Sequence, residues 1–89
     1  MATLAITTTD ATTADAGLAK NRWHDLTFSG TFNGVSIQPT NSKGVPLTES
    51  PITGPSRRAV FIAEGSVDYV VSGGTAPVID VDRVNIPLS

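Results

Sequence analysis

Apolar residues along this chain recur mostly at every second position, separated by clusters of Gly, Pro, Asn and Ser. That spacing puts alternate side chains on opposite faces of extended strands. Trp23 to Phe32 carries the strongest early signal, with Leu26, Phe28 and Phe32 on one face and Thr27, Ser29 and Thr31 on the other. Gly30 falls on the apolar face, where a missing side chain marks a bend or a close backbone approach. Asn33-Gly34 tolerates the positive φ of a type I′ turn and predicts a hairpin. The chain then returns over Val35–Gln38, with Val35 and Ile37 inward. Met1–Thr9 predicts a first strand with Leu4 and Ile6 together. Arg57–Ala63 reads as an apolar strand covered on both faces, and Glu64-Gly65 as a two-residue turn. Ser66–Ser72 then returns with Val67, Tyr69 and Val71 alternating. Gly73–Pro77 is a tight corner. Val78–Leu88 is the last strand, and its apolar parity switches between Val81 and Val84, which predicts a bulge or a twist.

Two segments lack this alternation. Asp10–Lys20 has enough Ala for a turn or two of helix, but Thr12, Thr13 and Gly17 oppose it, so it reads mainly as a connecting arm. From Pro39 to Pro55 four prolines and two glycines forbid a continuous central strand, leaving at most a short edge strand around Val45–Leu47. The pattern predicts an all-β fold, a small antiparallel β-sandwich or barrel of six to seven short strands without a helix. Its organisation is an extended N-terminal arm over 1–20, holding the possible first strand, and a sandwich over 21–89 with a Pro-rich loop at 39–55.

Composition narrows the function. With 89 residues the chain makes one small domain, burying about 60–65% of the surface of its unfolded form. Having no cysteine and one histidine, it has no disulfide, no thiolate chemistry and no two-histidine metal site within one chain. A net charge of −2 argues against a nucleic-acid partner and against an anionic membrane surface. No run approaches the ~18 apolar residues of a membrane span, and the first ten residues do not read as a secretory signal. Charged residues make up only 16%, a shortage that fits a surface partly covered by a partner.

Few residues offer chemistry. His24 and Asp25 are neighbours in a strand and point to opposite faces, so they form no dyad, and no glycine-flanked serine elbow completes a triad. His24 reads as a surface or interface residue, and the chain as no enzyme. Asp80 and Asp82 share a strand face and could hold a calcium ion if Asp68 or a loop carbonyl joined them. The plainer reading is a solvated face or pairing with Arg57, Arg58 or Arg83. One of Arg57 and Arg58 should face inward or toward a subunit interface, where it would need a carboxylate. Trp23, Phe28, Phe32, Phe61 and Tyr69 read as core aromatics. No cofactor is implied.

Two stretches carry a resemblance. Leu26–Ile37, containing Gly30-Thr31-Phe32-Asn33-Gly34, resembles a hairpin of small virion proteins of tailed bacteriophages. Gly65–Val81, in which a Tyr-bearing strand runs through Ser72-Gly73-Gly74 into Val78-Ile79-Asp80-Val81, is similar to their late hairpin. Together they span about a third of the chain; the Pro-rich run between them replaces what is usually a further regular strand. The resemblance implies a β-sandwich that assembles as a homo-oligomer, commonly a trimer, in capsid decoration or in head and tail fibres, without catalytic residues.

On that basis the chain is expected to be a decoration (cement) protein on the virion surface, made in the host cytoplasm and binding both itself and the major capsid protein. A thin core and a lattice would each gain stability by association. Arg57, Arg58, Phe61 and Tyr69 are the candidate subunit-interface residues. Thr3, Leu4, Ile6 and Thr8, in the Thr-rich arm, are the candidate capsid contacts, by addition of a strand to a sheet edge. The alternative is a fibre head or carbohydrate-binding module, which would need solvent-facing aromatics.

Overall fold

β-Branched residues at alternate positions fit a pleated, half-buried surface, and they form seven strands in the computed structural model, which describes residues 3–86. The strands are β1 (Thr3–Ile6), β2 (Ala11–Asp15), β3 (Arg22–Thr31), β4 (Ser36–Thr40), β5 (Ser56–Ile62), β6 (Val67–Ser72) and β7 (Val78–Ile86). Two antiparallel sheets result, ordered β1-β7-β3-β5 and β2-β6-β4. The expected small all-β sandwich is what forms, and no helix occurs among the described residues. Pro87 and Leu88, expected in the last strand, lie outside the described residues, as do Met1 and Ala2 of the first.

Odd-numbered strands make one sheet and even-numbered strands the other. Every connection therefore crosses between the sheets, and no two consecutive strands pair. Asn33 and Gly34 adopt the positive φ values their turn requires, 52° and 85°, and the Phe32 carbonyl accepts from the Val35 amide at 3.0 Å. Yet the turn joins layers: Thr31 pairs with Val78, whereas Ser36 pairs with Ser72. The late hairpin is corrected in the same way, since β6 pairs with β2 and β4 while β7 pairs with β1 and β3.

The core fills from both inner faces. Ile6, Leu26, Phe28, Val60, Ile62, Ile79 and Val81 come from one sheet and Ile37, Val67, Tyr69 and Val71 from the other, all essentially inaccessible. The Phe28 and Tyr69 rings meet edge to face between the layers, with centroids 6.1 Å apart. Each large apolar side chain so placed contributes about 1.5–3 kcal/mol.

Three local expectations change. Residues 1–20 hold the expected first strand, β1, but Asp10–Lys20 is more than a connecting arm, because β2 extends the second sheet and buries Asp15. The β-branched Thr12 and Thr13 outweigh the helix-favouring alanines once β6 offers an edge. The loop over 39–55 folds back along β4. Ile37 and Ile52 exchange backbone hydrogen bonds at 2.9 and 2.7 Å, Leu47 N donates to Pro39 O at 2.9 Å, and Ile52 is buried. Pro39 itself lies within β4, an edge strand where proline is tolerated. No bulge interrupts β7, which pairs with β3 continuously from Val78↔Thr31 to Ile86↔Trp23.

Candidate functional site

Without a bulge, the parity switch in β7 has another cause: polarity is inverted at one end of the four-stranded sheet. On the inner face there, His24 and Arg83 take positions that Phe28 and Val81 hold further along. On the outer face, Trp23 stands between Phe61 and Ile86, and Asp25 between Ala59 and Val84. Trp23, Phe61 and Val84 are 47%, 42% and 40% exposed. Scattered exposed hydrophobes are ordinary; a contiguous group across three strands marks an interaction surface. Trp23 and Phe61 pack edge to face, 5.8 Å between centroids and 66° between planes.

A charged row borders this patch, where Thr27 lies between Arg57 and Asp82. Arg57 Nη2 is paired with Asp25 Oδ2, and the Arg57 side chain remains 70% exposed. The hydrogen bond to Asp25, and then its charge, hold the guanidinium proton more tightly than usual. In water such a pair adds little to stability, leaving Arg57 available to other acids.

Inside, three polar side chains from facing layers are joined. Arg83 Nη1 donates to Asp15 Oδ1 at 2.8 Å, and Tyr69 Oη donates to Asp15 Oδ2 at 3.2 Å. Arg83 belongs to one sheet and Asp15 and Tyr69 to the other, so this contact staples the layers. Burial first, then the charge and hydrogen bond of Asp15, push the Tyr69 hydroxyl well above the usual phenol range, partly offset by Arg83. His24 is buried rather than on the surface, its Nδ1 lying 3.1 Å from the Arg22 carbonyl oxygen. It shares the inward parity of Leu26 and Phe28, while Asp25 points outward as the strand requires.

The residues singled out in the sequence separate accordingly. Phe61 lies in the exposed patch with Arg57 at its border. Tyr69 is wholly enclosed and can affect association only through the fold. Arg58 is half-buried, donates to the Arg57 carbonyl oxygen at 3.1 Å and lines an open groove of about 310 Å³ with Leu47, Thr48, Glu49, Ser50 and Ala59. Arg58 shares the inner parity of Val60 and Ile62, as expected of one of the two arginines, but the buried arginine paired with a carboxylate is Arg83. Thr3 and Thr8 are exposed, Leu4 is half-buried and packed on the core, and Ile6 is inside it. Asp80 and Asp82 share the outer face, but Asp68 is on the other sheet, and no group of three or more metal-ligating side chains forms among the described residues. Asp25 and Asp15, rather than Asp80 and Asp82, pair with arginine in the two ion pairs given above.

Trp23 and Phe61 correct the reading of all five aromatics as core. Parity separates Trp23 from Leu26 and Phe28, and Phe61 from Val60 and Ile62, so counting positions was signal enough. Asp15 carried no comparable sign, because its partner is distant in sequence. No family model, curated protein or solved structure matches the chain.

Proposed function

We propose that this chain is a structural association module, a virion protein that decorates a tailed-phage capsid, with the outer face of the four-stranded sheet as its adhesive surface. The observation that carries the reading is the exposed group of Trp23, Phe61 and Val84, with the half-buried Ile86 beside Trp23, bordered by charge. The sandwich and the two phage-like stretches support it, although those stretches are inter-sheet corners rather than hairpins. Attachment through strands β1 and β2 is now less economical than attachment through this face, because both strands complete the fold.

The test is cosedimentation with tailed-phage heads lacking their surface proteins. The chain should pellet with the heads, and Phe61→Ser should remain in solution while keeping its circular dichroism spectrum. Failure of the wild-type chain to pellet with any head overturns the capsid assignment.

A carbohydrate-binding reading also draws on the exposed aromatics. A platform for several sugar rings needs aromatic faces in one plane, whereas the Trp23 and Phe61 rings stand at 66° to each other. That geometry favours a protein partner. Retention of the isolated chain on a glycan array would reverse the preference.

A further inference from the structure

Resting on the reading of the outer sheet face as an association surface, we propose that its first occupant is the same face of a second copy, related by a two-fold axis along β3. The argument is complementarity. Across the sheet, the outward residues form three rows in the order β7, β3, β5: Ile86-Trp23-Phe61, Val84-Asp25-Ala59 and Asp82-Thr27-Arg57. A two-fold axis lying in the interface and parallel to β3 preserves each row and exchanges its ends. Ile86 then lies over the partner's Phe61, and Val84 over the partner's Ala59. Asp82 meets the partner's Arg57, and Arg57 meets the partner's Asp82. Apolar residues meet apolar residues throughout the first row and at both ends of the second, where Asp25 faces its own copy, and opposite charges meet in the third.

Other features agree. Arg57 is largely exposed even while it holds Asp25, so its guanidinium can bridge Asp25 to the partner's Asp82 through its several donors. Asp25 lies near the axis, where its own copy would otherwise repel it, and Arg57 already balances that charge. Two sheet faces pack about 10 Å apart and some 30° from parallel, which keeps β3 over its copy and the rows in approximate register. A patch complementary to itself forms a closed, isologous pair; a trimer ring would need two different surfaces. The pairing therefore departs from the trimer that the phage resemblance implies.

The symmetry gives a specific test by sedimentation equilibrium on the full chain. Wild type should form a reversible dimer. Arg57→Asp places acid over acid at both ends of the row, and Asp82→Arg places base over base. Each alone should weaken association about tenfold or more, because it brings like charges face to face at both ends of the row. An equimolar mixture of the two variants restores both opposite-charge contacts and should dimerise near the wild-type strength. Both positions are on the outer face, so unchanged circular dichroism is expected. A mixture no tighter than its components overturns the proposal, as does a trimeric wild type. A monomer that still binds phage heads through Phe61 overturns the two-fold pairing but leaves the association surface standing; a monomer that binds no head overturns both.

Discussion

Arg83 donates to Asp15 across the sandwich at 2.8 Å, joining the last strand of one sheet to the first strand of the other. Both side chains are nearly enclosed, at 11% and 5% exposure. Removing one partner leaves a buried charge uncompensated, which costs about 3–5 kcal/mol. Asp15→Ala and Arg83→Ala should each destabilise the fold by that amount in urea titrations. Replacing Arg83 and Asp15 together by Met and Leu should cost much less than the sum of the single changes. Additive losses would show that the two groups act independently.

Tyr69 ties this staple to pH. Its hydroxyl ionises at higher pH in the folded chain than in the unfolded one. Below about pH 10, the ordinary phenol value, both states hold the proton and stability is unaffected. Above it the unfolded chain releases the proton first, so stability falls as pH rises. Urea midpoints measured from pH 9 to 11.5 should drop more steeply for the wild type than for Tyr69→Phe. Parallel curves would contradict this.

Gly30 should resist any side chain. Its φ is +103°, and an added Cβ would lie 2.2 Å from the Val78 carbonyl oxygen on the paired strand. Backbone strain alone costs about 1–3 kcal/mol, and β7 would also have to move. Gly30→Ala should lower the melting temperature by about 10 °C or more, at 4–8 °C per kcal/mol for a domain of this size. Calorimetry reads it directly; a shift of a degree or two would show that β7 yields easily.

The order of the strands also has a kinetic consequence. Since no consecutive strands pair, each ladder must close a loop through the opposite sheet before it gains any contact. Such topologies fold in about milliseconds to seconds. Stopped-flow refolding should give rates in that range, and relaxation within microseconds would contradict the observed connectivity.

Strand positions were legible in the sequence because alternation reports burial directly, as at Leu26, Phe28, Val67, Tyr69 and Val71. Connectivity was not. Asn33-Gly34 has the same local turn whether it joins paired strands or separate layers, and only the distant pairing of Thr31 with Val78 decides between them. Residues 39–55 hid the buried Ile52 because prolines excluded a strand without excluding a packed loop. The outer-face patch was half visible. The switch between Val81 and Val84 recorded a real exchange of inner and outer polarity, with Arg83 inside and Val84 outside, and its cause lay in Asp15 far along the chain.

The emission of Trp23, the only tryptophan in the chain, reports the association face most directly. Nearly half of this side chain meets solvent in the single copy. As protein concentration rises, its emission maximum should move to the blue along the same curve as the sedimentation mass, and Phe61→Ser should abolish both changes. A mass that doubles while Trp23 emission stays fixed would place the contact elsewhere and contradict the account.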